Sequence, residues 1–80
     1  MDDRALELVR FIAESLVTEK DEVKVRKIER DRTVVLELSV APDDMGRVIG
    51  KQGRIAKAIR SVVRSATSDQ RKRYTVDIVE

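Results

Sequence analysis

The segment from Val48 to Ile55, which reads Val-Ile-Gly-Lys-Gln-Gly-Arg-Ile, constrains the fold of this chain more than any other. Its two glycines, Gly50 and Gly53, stand three residues apart between apolar residues. Glycine tolerates φ angles that other residues avoid and lets another backbone approach closely, so this spacing predicts a tight turn between two helices. Such a turn presents main-chain N–H groups at the start of the second helix, where they attract anions.

Positive charge is concentrated around this turn. The net charge is only +2, but residues 47–73 contain nine lysines and arginines against one acid, Asp69. A basic block beside a glycine turn is typical of a protein that binds a polyanion, and this interpretation outweighs that of a merely solvated helix face. We therefore expect the N–H groups of Lys51 to Arg54 to contact phosphate, with the Lys51 ammonium adding a point charge.

The composition excludes most kinds of active site. A chain of 80 residues predicts one domain, residues 1–80, with a core only just large enough to fold without a metal or disulfides. It contains no cysteine and no histidine, so thiol nucleophiles, the usual zinc ligands and the commonest general base are missing. We expect a protein that is not an enzyme and that carries neither a metal nor another cofactor.

The N-terminal residues argue against a membrane protein. Glu7, Arg10 and Glu14 interrupt the first apolar residues, so the sequence predicts neither a signal peptide nor a transmembrane span. Glu7, Glu14 and Glu19 would also be repelled by anionic lipid. We expect a soluble, cytoplasmic protein without a membrane partner.

Hydrophobic periodicity predicts three helices and three strands in the order α-β-β-α-α-β. The predicted elements are a helix at 3–18, strands at 22–29 and 33–41, a short helix ending at Ile49, a helix at 54–66 and a strand at 73–79. We expect Asp2 and Asp3 to cap the first helix, and Asp43 or Asp44 to cap the second.

The predicted packing follows from the same periodicity. Val34, Leu36, Leu38 and Val40 alternate with more polar residues, which predicts a central strand with one buried face. In the preceding strand the alternation slips at Ile28, which favours a bulge or frayed end near Lys27. The long second-half helix is expected to bury five residues, namely Ile55, Ile59, Val62, Val63 and Ala66.

The connection between the second and third predicted strands fixes the topology. It spans roughly thirty residues and two helices, the length of a right-handed parallel crossover. We therefore expect an α+β fold with a three-stranded mixed sheet in the order 1-2-3 and all three helices on one face. The other face is expected to be mostly polar and to lack the exposed aromatic residues with which an RRM-like sheet stacks bases.

A helix–Gly-x-x-Gly–helix turn in this order of elements resembles a KH domain of the second, bacterial-type topology. The stretch from Val48 to Gly53 matches the Ile-Gly-x-x-Gly core of that family, and the resemblance covers the whole chain. The chain departs from the family pattern at Ala56, where many KH domains have a large aliphatic residue. This difference affects the expected shape of the apolar groove. As an 80-residue single KH domain, the chain is similar to the KhpA family of small bacterial RNA-binding proteins.

The resemblance implies a groove that holds about four unpaired nucleotides between the two helices on one side and the second strand with its hairpin on the other. Gln52 is then expected to reach a sugar or phosphate. Val48, Ile49 and Ile55 are candidates for an apolar floor, although core packing explains each at least as well and is the favoured interpretation of Ile49 and Ile55. Arg64 is expected to lie too far round its helix. The RNA-binding residues predicted in this way are Arg47, Val48, Ile49, Gly50, Lys51, Gln52, Gly53, Arg54, Lys57 and Arg60.

The resemblance also implies a cellular role. One copy without an aromatic platform should bind single-stranded RNA weakly, with a dissociation constant on the order of micromolar. Members of the family are associated with homodimers and with a larger KH-containing partner of the KhpB type. They act as RNA chaperones or post-transcriptional regulators linked to cell-envelope growth and cell shape.

Other functions remain open from the residues alone. A helix-turn-helix DNA-binding module also joins a short helix to a basic one, but base-reading residues are scarce, with no Asn and Gln only at positions 52 and 70. A protein-interaction module without nucleic acid would leave the basic block unexplained. An enzyme fits less well, because the segment from Gly46 to Lys51 is one residue short of a P-loop and lacks the Ser or Thr after the lysine.

Overall fold

The computed structural model describes residues 4–79 and has the predicted order of helices and strands. The elements are α1 (Arg4–Leu16), β1 (Lys24–Glu29), β2 (Thr33–Ser39), α2 (Met45–Ile49), α3 (Arg54–Ala66) and β3 (Arg73–Val79). Short 3₁₀ helices, which periodicity did not predict, occupy Lys20–Glu22, Pro42–Asp44 and Lys51–Gly53. The predicted caps Asp2 and Asp3 lie outside the described residues.

The sheet has the predicted order and directions. Its strands run β1-β2-β3, with β1 antiparallel and β3 parallel to the central strand β2. The buried face of β2 is the predicted one, since Val34, Leu36 and Leu38 are almost completely buried. The mixed α+β architecture is therefore confirmed, with α3 packed on β3 and α2 in contact with α3.

Strand β1 is regular, and the predicted bulge near Lys27 is wrong. The pairing with β2 runs without interruption from Lys24 opposite Ser39 to Glu29 opposite Val34. Ile28 pairs with Val35 and so lies on the open face of the sheet. The slip in the sequence pattern is thus caused by Ile28, an apolar residue on the open face, where Val35 of β2 is its apolar cross-strand partner.

The face that α3 buries is rotated from the predicted one. Ile59 and Val63 are buried as expected, but Val62 is 42% exposed. Ala66 is also exposed, while Ala56 is buried in place of these residues. Residues 56, 59 and 63 follow the i, i+3, i+7 spacing of a single helix face, so one narrow stripe makes the contact and its flanks stay open.

The open face of the sheet is mostly polar. In the described part of the chain it contains no aromatic side chain, and Arg26 and Glu37 form an ion pair across it with a distance of 3.2 Å. This is the predicted outcome and differs from sheets that stack bases. Among residues 4–79, no helix combines the length and the apolar character that crossing a membrane would need.

Asp44 is the one charged residue with no exposed surface among residues 4–79, and it does not cap α2 as predicted. Its carboxylate instead accepts hydrogen bonds from Thr18 and Glu19, just after the end of α1. Oδ1 lies 3.0 Å from both the N–H and the hydroxyl oxygen of Thr18, and Oδ2 lies 3.1 Å from the N–H of Glu19. The Nε of Arg47 lies 3.4 Å from Oδ1. One side chain thereby connects the C-terminal end of α1 to the start of α2.

The surroundings of Asp44 stabilise its charged form. The N–H of Thr18 contributes most to lowering the pKa of the Asp44 carboxyl, and burial acts in the opposite direction. The N–H of Glu19, the Thr18 hydroxyl and the Arg47 guanidinium lower the pKa further, so that the net shift is downward. A carboxylate with a lowered pKa stabilises the fold at pH values above its unfolded pKa, and this contribution disappears as the pH falls through the folded pKa.

We predict that Asp44→Asn lowers the melting temperature by several degrees near neutral pH. The amide keeps the shape of the carboxylate but loses its charge and one acceptor. Because the unfolded pKa of an aspartate is about 4, the difference from the wild type should shrink at lower pH. Thermal melts followed by circular dichroism at several pH values measure this. Asp43→Asn, at the exposed neighbour, is the matched control, and a constant difference for the Asp44 variant at all pH values would contradict the assignment.

Candidate nucleic-acid interface

The turn between α2 and α3 reverses the chain within four residues through left-handed backbone angles. Gly50 has φ 72° and ψ 177°, Gln52 has φ 55° and ψ 27°, and Gly53 has φ 72° and ψ 17°. The first combination is almost restricted to glycine, and the other two cost side-chain-bearing residues about 1 kcal/mol or more. Gln52 is the only non-glycine residue with positive φ among residues 4–79, so the tip of the turn holds some strain.

Hydrogen bonds within the turn leave two N–H groups for a ligand. Gly50 donates to the carbonyl of Gly46 (2.8 Å), Gly53 to that of Gly50 (3.3 Å), and Arg54 to that of Lys51. Of the four N–H groups expected to contact phosphate, those of Gly53 and Arg54 are therefore already bonded within the turn. Within residues 4–79 no acceptor meets the N–H groups of Lys51 and Gln52, and both residues are exposed. These two consecutive donors form the tip of the turn.

The turn is supported from below by Ile55. A Cβ on Gly50 would lie 2.5 Å from Ile55 Cγ1, whereas a Cβ on Gly53 would meet no atom within 4 Å. The first glycine is thus required by close packing as well as by φ, and the second by φ alone. Ile55 is half-buried and packs against the core, so it fixes the position of the turn relative to the first residues of α3.

The three apolar residues predicted as candidates for a groove floor differ in their exposure to solvent. Val48 has no exposed surface and is a core residue, so its side chain is not available to a ligand. Ile49, for which core packing was the favoured interpretation, is 38% exposed beside the turn. Ile55 can both pack against the core and contact a ligand, because it is half-buried beneath Gly50. An apolar surface next to the turn therefore consists of Ile49 and the outer part of Ile55.

Three of the predicted cations surround the tip of the turn without a counter-charge. Lys51, Arg54 and Lys57 are exposed, and no carboxylate of the described residues forms an ion pair with them. Since α3 begins at Arg54, its positive dipole end reinforces these charges. Two free N–H groups and three unpaired cations make this the arrangement best suited to bind phosphate.

The other two predicted cations have protein partners. Arg47 is held by Asp44, yet 58% of its side chain is exposed. Arg60 donates from Nε to the carbonyl oxygen of Val76 in β3, at 3.0 Å. The structure thus places Arg47 beside the turn and Arg60 further along, where α3 meets the edge of the sheet.

A cleft beside α3 is bordered by β3, and the groove that the resemblance implied beside β2 and its hairpin stays a prediction. Helix α3 packs on β3, and β2 is covered as the central strand. A cleft of about 270 Å³ lies between α3 and β3 and is lined by Arg60, Arg64, Arg73 and Tyr74, among others. Arg64 was expected to be too far round the helix, but it follows Arg60 by four residues and so shares its face. That spacing was the available sequence signal.

Comparison with known proteins places this geometry in a family. The model of the KhpA/KhpB KH domain matches residues 6–78. The chain belongs to this KH-domain family. Membership confirms the expected resemblance and the expectation that the chain is not an enzyme. It also favours the KH interpretation of the glycine turn over a helix-turn-helix.

Individual members of the KhpA/KhpB family align along almost their whole length. The RNA-binding protein KhpA of Clostridium acetobutylicum is 52% identical over 73 residues, which cover 91% of this chain and 97% of that protein. KhpA of Aquifex aeolicus is 45% identical over 74 residues, covering 92% and 94%. KhpA of Borreliella burgdorferi is 40% identical over 75 residues, covering 94% and 92%.

We predict different costs for alanine at the glycines of this KH turn. Gly50→Ala should destabilise the fold by about 2 to 3 kcal/mol, because a strained φ/ψ combination is added to a clash with Ile55. Gly53→Ala should cost about 1 kcal/mol, since only φ is strained. Gly46→Ala is the control, because position 46 is helical and open, and alanine should be neutral or stabilise by up to about 1 kcal/mol.

Urea unfolding followed by circular dichroism gives the three free energies of unfolding. The order Gly50, Gly53, Gly46 from most to least destabilised is the expected result. If the Gly50 variant proved as stable as the Gly46 variant, the close approach to Ile55 would not be a constraint on this fold.

Proposed function

We propose that this protein binds single-stranded RNA by clamping the phosphate backbone with the turn between α2 and α3. The observation that carries the proposal is the pair of free N–H groups at Lys51 and Gln52, exposed at the tip and surrounded by cations without acidic partners. The relatives that align with the chain are named as RNA-binding proteins, which supports RNA as the polyanion.

Each part of the turn has a physical role in this mechanism. The N–H groups of Lys51 and Gln52 donate hydrogen bonds to phosphate oxygens, and the Lys51 ammonium adds charge at the same point. The Gln52 side chain hydrogen-bonds a sugar or a second phosphate. Arg47, Arg54 and Lys57 extend the positive potential on either side, with Asp44 orienting the guanidinium of Arg47.

An unpaired strand fits this surface better than a duplex. Ile49 and the outer part of Ile55 offer apolar contacts to base faces directly beside the phosphate contacts. In a duplex the base faces are stacked and inaccessible. KH domains hold about four unpaired nucleotides beside such a turn.

A single copy of this site makes few contacts, so we propose that it works together with further RNA-binding modules. Two linked sites raise the apparent affinity through effective concentration without any new contact. A second copy of the chain or a larger KH-containing protein of the KhpB type would supply the second site. In this form the protein acts in the cytoplasm as an RNA chaperone or post-transcriptional regulator, with a role in cell-envelope growth and cell shape.

We predict that the double variant Lys51→Asp, Gln52→Asp binds single-stranded RNA at least about tenfold more weakly than the wild type. Two carboxylates at the tip repel phosphate, while both glycines and the buried core stay unchanged. Fluorescence anisotropy with a labelled RNA oligonucleotide measures the affinity, and circular-dichroism melts confirm that the variant is folded.

The matched control is Lys20→Asp, Lys24→Asp. It removes more positive charge than the loop variant, but on the β1 side of the sheet, at the opposite edge from β3 and α3. Near wild-type RNA affinity in this control, together with loss in the loop variant, supports a local site. A loop variant that is folded and binds RNA as well as the wild type would refute the proposal, and preference for duplex DNA would favour the helix-turn-helix alternative.

A further inference from the structure

A second basic cleft lies at the other end of α3 from the glycine turn. It has a volume of about 440 Å³ and is formed by the end of α3, the connection to β3 and the first residues of β3. Four cations line it, namely Arg64, Arg71, Lys72 and Arg73, together with hydroxyl and amide side chains and Tyr74. No carboxylate belongs to the lining.

The charge of this distal cleft is largely uncompensated. Lys72 Nζ lies 3.4 Å from Glu29 Oε1, in an ion pair at the rim. No carboxylate in the described part of the chain forms an ion pair with Arg64, Arg71 or Arg73. Such a group of like charges is mutually repulsive in the free protein, and an anion seated among them relieves the repulsion.

The distal cleft adjoins the cleft between α3 and β3. The cleft between α3 and β3 shares Arg64, Arg73 and Tyr74 with it, so the two form one surface along the helix. Asp77 lines the cleft between α3 and β3, and its carboxylate lowers the positive potential there. Helix α3 has 13 residues, which puts the turn and the distal cleft about 20 Å apart.

We propose that the distal cleft is a second phosphate-binding site, which takes the backbone of the same RNA strand beyond the nucleotides clamped by the turn. This inference rests on the proposed function. A stacked strand advances about 3.4 Å per nucleotide, so about six nucleotides separate the two sites. A strand of four or five nucleotides reaches one of them, and one of about twelve reaches both.

The chemistry of the cleft fits a nucleic-acid backbone. Guanidinium groups offer paired donors that match phosphate oxygens, and three of the four cations are arginines. Tyr74 packs partly against the core and also lines both clefts, so the part of its ring that stays exposed can contact a base irrespective of its identity. A phosphate strand that follows α3 meets these groups in sequence, whereas an acidic protein segment would need no continuity with the turn.

The test compares the affinities of uridine oligonucleotides of about five and about twelve nucleotides for the wild type and for Arg71→Gln, Lys72→Gln. Both residues line the distal cleft and neither lines the cleft between α3 and β3, and glutamine removes their charge while keeping a polar side chain. We expect the variant to bind the short RNA like the wild type and the long RNA about tenfold more weakly. Because each contact contributes about 0.7 to the salt slope on a single strand, the slope for the long RNA should fall by about 1.4.

Lys20→Gln, Lys24→Gln is the control with the same change in net charge, placed at the β1 side of the sheet. The proposal is overturned if this control weakens the long RNA equally, if the distal variant loses the short RNA as well, or if it binds the long RNA with unchanged affinity and salt slope. The last result is also the one expected if the cleft receives an acidic protein.

The loop variant Lys51→Asp, Gln52→Asp separates this inference from the proposed function. Both proposals are supported if the loop variant loses affinity for both RNAs and the distal variant loses affinity for the long RNA alone. If the loop variant keeps both RNAs while the distal variant loses the long one, the clamp is refuted and the distal site stands. If the wild type binds neither RNA, both are refuted.

Discussion

The reversal of the chain between α2 and α3 is the constraint on which the candidate site depends. Four residues must turn the backbone from one helix into the next while the helices remain in contact, and this requires left-handed angles at Gly50, Gln52 and Gly53. The turn uses most of its own N–H groups to hold that shape. What is left over, at Lys51 and Gln52, is a pair of donors that is fixed in direction before any ligand arrives, so binding costs little ordering of the backbone.

Asp44 gives the turn a fixed base. The helix that leads into the turn has only five residues and could not persist alone, so its position must come from tertiary contacts. Val48 supplies the apolar contact, and Asp44 supplies the polar one by accepting hydrogen bonds from the end of α1. The same carboxylate pairs with Arg47. A buried charge that is expensive to desolvate is retained here with both carboxylate oxygens hydrogen-bonded, and it connects the fold to Arg47 beside the turn.

The sequence predicted those features that depend on neighbouring residues. Alternation identified β2 and its buried face, and two glycines three apart identified the turn. Features that depend on distant residues were not predicted: Asp44 resembles a helix cap locally, and its actual partners lie 25 and 26 residues away. Ile28 shifted the apparent pattern of β1 because an outer sheet face tolerates an apolar pair. The buried face of α3 was predicted in the wrong orientation because Val62 and Ala66 continue its apolar stripe in the sequence, although no other element within residues 4–79 covers them.

The positions of the cations show why a count of charge along the chain gives the kind of ligand but not the site. The basic block of residues 47–73 is continuous in sequence, but the fold divides it. Arg47 is paired with a buried acid, Arg60 is bonded to the backbone of β3, and the remaining cations gather at the two ends of α3. The two consecutive free N–H groups of the turn, at Lys51 and Gln52, lie at the first of these ends. In the proposed complex the strand is therefore oriented by backbone geometry at the turn and held elsewhere by charge, which is screened by salt and indifferent to base sequence.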